Sequence, residues 1–227
     1  MIHKYIVSMF VVTVFSSCSE IDNYPAPDGG IHGTLIDKIT NEPLQTQQPN
    51  GFTIQLFEDG GSSNVPILIP GKPDGTFENS FIFQNQYTVI PTEGAFFPIE
   101  PVVVQVGERT ETNFEVIPFL ALTNVTVTPS PGEITAKYKI ERSQAGDKII
   151  DRRTMVSKIP TVNSVVFDFQ SQTGLAETPD TDILASDFTD KVTGLTSGQT
   201  YYVRIAVRTD NALGKYNYSD TFMVTVP

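Results

Sequence analysis

The chain has 227 residues, 39% of them apolar, and 26 acidic against 15 basic side chains give a net charge of −11. That charge repels a phosphate backbone, so DNA and RNA are excluded as partners. A single cysteine and two histidines exclude a disulfide framework and a zinc–thiolate centre, and 16 Gly with 16 Pro favour frequent turns over long helices.

In chain order, His3 and Lys4 supply a basic start, and Tyr5 to Phe15 form a short apolar run. Such a run is too short to span a bilayer stably but suits the apolar region of an export signal. Phe15-Ser16-Ser17-Cys18 follows. These four residues resemble a bacterial lipoprotein lipobox, with Phe15 where Leu is usual. The resemblance implies a signal peptide over 1–17 and lipidation at Cys18, which ties the protein to a membrane through its N-terminal lipid. His32 is then the only imidazole left, so a multi-histidine metal site is excluded and no cofactor is expected. Residues 18–29 are polar, acidic and rich in Pro and Gly, and read as an acylated tether. Acidic residues this soon after the cysteine resemble the surface-export signal of Bacteroidetes lipoproteins. The expected location is the outer membrane, facing the cell exterior, with a periplasm-facing position as the alternative.

Strand patterns begin at once. Ile31, Gly33 and Leu35 alternate with His32, Thr34 and Ile36, and Phe52, Ile54 and Leu56 alternate with Thr53 and Gln55. Phe81 with Phe83, Tyr87 with Val89, and Val102 with Val104 and Val106 each share a face, and Thr112 to Ile117 closes the unit. Pro73-Asp74-Gly75 reads as a turn and Pro91 to Pro98 as a loop. Gly33-Thr34-Leu35-Ile36-Asp37, Thr40-Asn41-Glu42-Pro43-Leu44, Asp74-Gly75-Thr76-Phe77 and Gln86-Tyr87-Thr88-Val89 resemble the carboxypeptidase-regulatory-like, transthyretin-like sandwich. The resemblance spans residues 30–118. These are turn and core motifs, so they bear on fold and not on activity.

A second set of strands occupies 119–227. Val125 and Val127 lead to a turn at Pro129-Ser130-Pro131-Gly132. Ile134, Ala136, Tyr138 and Ile140 then alternate with polar residues. Ile150 to Ile159 and Val165, Phe167 and Phe169 give further strands, Ser171 to Asp182 a polar loop, and Tyr218 to Val226 the last strand. Leu195-Thr196-Ser197-Gly198-Gln199-Thr200-Tyr201 resembles the E–F corner of a fibronectin type III domain, with Ser197 in place of Pro. The resemblance puts Tyr201 at a tyrosine corner, with Val203, Ile205 and Val207 pointing inward beside it. Arg204 and Arg208 should face water or the neighbouring strand. The fold class is therefore all-β, two tandem β-sandwiches.

The order of parts, with Asp22-Asn23-Tyr24-Pro25-Ala26-Pro27-Asp28-Gly29-Gly30-Ile31 and Glu42-Pro43-Leu44-Gln45-Thr46-Gln47-Gln48-Pro49-Asn50-Gly51, resembles a Bacteroidetes lipoprotein family of unknown function. Members tend to be encoded beside starch-utilisation-type glycan importers. That implies a non-catalytic accessory role in polysaccharide utilisation, binding polysaccharide or docking on an outer-membrane glycan importer. A structural spacer or adhesion module, and an unrecognised hydrolase, are the alternatives. No nucleophile-elbow pattern (Gly-x-Ser-x-Gly) is present to partner His32, and the acidic run with Glu177, Asp180 and Asp182 lacks the Gly and terminal Glu of an EF-hand calcium loop. The Asp74-Gly75 step reads as a turn and not a metal site. Stacking on sugar needs aromatic faces with polar neighbours. The candidates are Phe96 and Phe97 in the 91–98 loop and Tyr216 and Tyr218 near the end, with Asn211 and Asn217 supplying hydrogen bonds.

Overall fold

The computed structural model describes residues 25–60 and 65–227. The expected signal peptide, Cys18 and the first part of the expected tether lie outside the described residues, as do residues 61–64. Strands dominate, as two tandem β-sandwiches.

The first unit contains β1 (Gly29–Asp37), β2 (Thr53–Glu58), β3 (Ile67–Pro70), β4 (Thr76–Ile82), β5 (Gln86–Thr92), β6 (Val102–Gln105), β7 (Thr110–Glu111) and β8 (Phe114–Val116). One sheet has the order β4-β1-β7, with β8 also on β1, and the other runs β3-β2-β5-β6. The period-two residues Ile31, Leu35, Ile54, Leu56, Tyr87 and Val89 fill the space between them, with Phe52, Phe77 and Phe114. Apolar alternation therefore places one face of each strand in the core and leaves the other to water. At the turn into β4, Gly75 has a φ of 79°, which an L side chain tolerates poorly. Asp74 Oδ1 accepts from the Thr76 N–H at 3.1 Å and from its hydroxyl at 2.7 Å, so this carboxylate holds a turn. Phe81, at the end of β4, and Phe83 just beyond it are both exposed and lie outside this core.

The second unit contains β9 (Ala121–Ser130), β10 (Glu133–Glu141), β11 (Ile149–Ser157), β12 (Phe169–Gly174), α1 (Asp180–Ala185), β13 (Asp187–Thr193), β14 (Thr200–Thr209), β15 (Asn217–Tyr218) and β16 (Phe222–Thr225). A sheet β13-β10-β9 faces a sheet β12-β11-β14, on whose far edge β15 and β16 both pair with β14. Ile134, Ala136, Tyr138 and Ile140 meet Tyr201, Val203, Ile205 and Val207 across the core, all buried. Tyr201 is fully buried, and its Oη accepts from the Thr196 N–H at 3.0 Å.

Four sequence expectations need correction here. Strand β3 was not expected, because Ile67-Leu68-Ile69-Pro70 shows no polar alternation; it is an edge strand, where Pro is tolerated. Val165 lies on no strand. Asn163 Oδ1 accepts from the N–H groups of Val165 and Val166 and turns the chain, leaving Val165 71% exposed. The segment from 171 to 182 is not a single loop: it holds the end of β12, an edge strand of alternating half-buried residues, and the start of α1. Helix α1 is six residues long, too short to show a 3.6-residue period. The last strand is broken at Ser219, whose hydroxyl takes the Ile205 N–H at 3.0 Å and separates β15 from β16.

Candidate interdomain cleft

Residues 117–120 carry the chain from β8 to β9, and several contacts fix the two sandwiches against each other at this junction. The Asn217 side chain spans it. Its Oδ1 accepts from the Leu120 N–H at 3.1 Å, and its Nδ2 donates to the Ala95 carbonyl at 2.8 Å. The Phe119 N–H also donates to the Ala95 carbonyl, at 3.1 Å. Phe97 packs edge-on against Phe119, with ring centroids 5.0 Å apart, and its ring lies 2.9 Å from where a Cβ on Gly146 would sit. Arg204 reaches Gln45 Oε1 at 3.4 Å and the Pro73 carbonyl at 3.5 Å, and Lys215 Nζ donates to the Asn50 carbonyl.

Two clefts border this seam. In extended backbone, successive side chains point to opposite sides. Phe119 accordingly lines one cleft and Leu120 the other.

The larger cleft has a volume of about 350 Å³. Pro91, Phe96 and Pro98 of the first unit, Phe119 of the junction and Leu213 of the second unit give it an apolar floor, and Thr92, Glu93, Asp147 and Asn211 add polar groups. An apolar surface with a few polar groups is the usual make-up of a small-molecule site. Local sequence explains its shape. A Cβ on Gly94 would fall 2.0 Å from the Phe96 ring, so only Gly lets that ring fold back against the backbone. Glu93 has a φ of 61°, a left-handed conformation that costs a non-glycine residue free energy. Its Oε2 accepts from the Thr53 hydroxyl at 2.9 Å, which fixes the carboxylate at the cleft edge. Leu213 sits on the hairpin after β14 and is 56% exposed, although it is apolar.

The smaller cleft, about 210 Å³, is lined by Asp37, Glu42, Leu44, Leu122, Asp220 and Phe222 among others. Asp37 is only 6% exposed, and its Oδ1 accepts from the Ile39 N–H at 2.7 Å and the Thr40 N–H at 3.4 Å. Burial raises its carboxyl above the ordinary 3.8, against the opposing pull of those N–H groups. The folded state therefore holds its proton to higher pH than the unfolded chain does. Stability falls as pH rises from the unfolded to the folded pKa, and above that window the ionised group is a net cost. Asp37→Asn keeps the acceptor without the charge. It should be more stable than the parent at about pH 7, with the advantage gone near pH 3, as read by urea midpoints at the two pH values.

The sequence candidates divide between these settings. Phe96 lines the larger cleft, and Phe97 lies one residue on, packed into the seam. Asn211 borders the same cleft, but its amide is committed to the hairpin. Nδ2 donates to the Thr209 and Lys215 carbonyls, and Oδ1 accepts from the Lys215 N–H. Asn217 serves the seam, not a ligand. Tyr216 and Tyr218 form no open platform: both are buried beneath arginines. Arg153 and Arg208 lie 4.8 and 5.0 Å from the Tyr216 ring centre, and Arg204 lies 4.4 Å from that of Tyr218. The Tyr216 hydroxyl donates to Asp151 at 2.6 Å, and that of Tyr218 to Ser164 Oγ at 2.8 Å. Burial raises the pKa of both phenols, so they stay neutral donors. Arg204 is itself buried, not facing water, because the Tyr218 ring and the Ser219 carbonyl, 3.0 Å from Nε, cover it; burial lowers its pKa to about 10. Asp180, weighed as a metal ligand, instead pairs with Lys148 at 2.6 Å and Arg142 at 3.0 Å. The residues that sequence reasoning missed are Glu93, Phe119, Asp147 and Leu213. Only the exposed apolar Leu213 in a turn could have been noticed from sequence.

Residues 29–117 match the family model described as "Protein of unknown function (DUF3823) N-terminal domain". Among solved structures, a DUF3823 family protein from Bacteroides uniformis ATCC 8492 is similar at 24% identity and a TM-score of 0.75, over 88% of this chain and 100% of its own. One from Parabacteroides merdae ATCC 43184 gives 20% identity and a TM-score of 0.76 over the same shares, 88% and 100%. A third, from Bacteroides uniformis ATCC 8492, is described as a "putative carbohydrate binding protein" and gives 21% identity and a TM-score of 0.73, again over 88% and 100%. At these identities the likeness concerns the fold. No curated protein matches the chain.

Proposed function

We propose that this chain is a non-catalytic accessory lipoprotein of the outer membrane, exposed at the cell surface, that binds glycan between its two sandwiches in polysaccharide utilisation. The observation that carries the reading is the cleft of Phe96, Phe119 and Leu213, edged by Thr92, Glu93 and Asp147. A pyranose ring presents C–H groups on its faces and hydroxyls around its edge, and this lining complements both. The similar fold of a protein described as a "putative carbohydrate binding protein" agrees with it. The strand order E-B-A against C′-C-F-G of a fibronectin type III domain is also our reading of the second unit, with β9 taken as A.

The course of β1 supports display. The chain enters the first sandwich at Gly29, and the nine residues to Asp37 carry it to the seam, where Asp37 lines the smaller cleft. At about 3.3 Å per residue this sets the seam roughly 27 Å beyond the point where the tether joins. Lipidation of Cys18 would then hold the clefts well clear of the bilayer, and more than one acyl chain gives stable anchoring.

Two experiments test this reading. Cells fed a clickable palmitate should label the protein, and Cys18→Ala should abolish the label; an unlabelled parent contradicts the anchor. The full chain should be retarded in an affinity gel by at least one polysaccharide of a broad panel. Leu213→Asp should remove the retardation. Leu68→Asp, an equally exposed site on β3 (58%), should not. No retardation by any polysaccharide would favour a spacer or adhesion module.

A further inference from the structure

Resting on the glycan reading, the geometry points to a narrower ligand class: we infer that the larger cleft takes uncharged sugar rings and rejects uronate and sulfated units. Among the described residues, the only ionisable ones in its lining are Glu93 and Asp147, and no basic residue lines it. The cations nearby in the chain are committed elsewhere. Arg142 and Lys148 flank Asp147 closely in sequence, yet both pair with Asp180, and Lys148 Nζ also donates to the Thr178 carbonyl. Arg142 meets Asp147 only at its backbone carbonyl. Arg208, on the strand leading to the Leu213 hairpin, lies over Tyr216 with Nη1 3.6 Å from where a Cβ on Gly214 would sit, and Lys215 Nζ donates to the Asn50 carbonyl; neither residue is part of the lining.

An ionised carboxylate accepts hydrogen bonds and donates none, and its bonds to hydroxyls are charge-assisted. The ligand must therefore bring donors to the cleft edge and an apolar face to the floor. A sugar hydroxyl edge above a C–H face does both. A carboxylate or sulfate on that ring would meet two like charges with no cation in the described lining to offset them, which should weaken binding by about tenfold or more. The volume of about 350 Å³ is at the small end of ligand pockets, so the cleft fits a chain end or a short run of rings and not a long segment. The left-handed Glu93 fits this role: its neighbour Gly94 makes room for the Phe96 ring while the Thr53 hydroxyl holds the carboxylate at the edge.

The test uses the full chain in affinity gels with neutral polymers (starch, xylan, mannan, inulin, dextran) and anionic ones (polygalacturonate, alginate, dextran sulfate). The parent should be retarded by at least one neutral polymer and by no anionic one. Glu93→Gln with Asp147→Asn should fold with an unchanged Tm and weaken neutral binding about tenfold or more, since Gln still offers an oxygen to Thr53. Retardation by anionic polymers as strong as by neutral ones would overturn the inference while leaving glycan binding intact. Neutral binding unchanged in the double variant would overturn it too. Retardation by neither class would overturn the glycan reading itself.

Discussion

Asp190→Ala should lower stability by about 3 kcal/mol, because it removes a buried carboxylate and strands the largely covered Arg152. Asp190 projects from β13 between the two sheets of the second sandwich and is 4% exposed. Its Oδ2 accepts from the Tyr138 hydroxyl at 2.7 Å and the Thr154 hydroxyl at 2.8 Å, and its Oδ1 accepts from Arg152. Burial, and then the Asp190 charge, raise the Tyr138 pKa above the ordinary phenol range, so the phenol is a neutral donor at neutral pH. The Arg152 guanidinium lies 4.8 Å from the Phe188 ring centre, and its Nε is buried without a hydrogen-bond partner among the described residues. Removing Asp190 takes away the only carboxylate among the described residues that pairs with that guanidinium. Urea unfolding checks the loss, and Asp190→Ala with Arg152→Met should recover part of it. A loss under about 1 kcal/mol would mean that water replaces the carboxylate and that the cluster is less closed than its burial implies.

Asn217→Ala should cost about 2–3 kcal/mol and make the sandwiches melt separately. The Leu120 N–H loses its acceptor in a buried setting, which carries most of the cost. The Ala95 carbonyl keeps the Phe119 N–H and suffers less. Phe96 follows Ala95 directly, so loosening the clamp also displaces the cleft floor. Calorimetry should show one transition in the parent and two in the variant. A single, barely shifted transition would show that Phe97, Arg204 and Lys215 hold the seam without the amide. Asn217→Asp is a useful companion, since it retains an acceptor for Leu120 but turns an oxygen toward the Ala95 carbonyl.

The contrast between these two residues and the sequence-derived sites shows what a linear pattern carries. Period-two alternation identified the inward faces of β2 and β10, and the resemblance at the Tyr201 corner that of β14, because the side-chain direction of a strand is a local property. It failed where a side chain is covered by residues distant in sequence. Tyr216 and Tyr218 look like loop aromatics beside polar neighbours, but Arg153 arrives from β11 and Arg204 and Arg208 from β14 to cap them. A hydrophobic–polar pattern scores those arginines as solvent-facing, whereas their stems and planar guanidinium groups pack against rings. Asn217 was legible as a polar residue near the end of the chain, but not as a partner of Ala95, 122 positions away. The cleft was half legible. Phe96 stood out as an aromatic in a Pro-bounded loop, whereas Phe119, Asp147 and Leu213 join it only because the seam brings three separate segments together.

Hydrogen–deuterium exchange of the full chain, with and without the neutral polysaccharide that retards it most, tests the cleft most directly. Slowed exchange should appear in two separated segments, 90–98 and 211–214, and be absent from both when Leu213 is replaced by Asp. Slowed exchange confined to the outer face of β3 and β6, around Leu68 and Val103, would contradict the assignment and move the binding surface to the first sandwich alone.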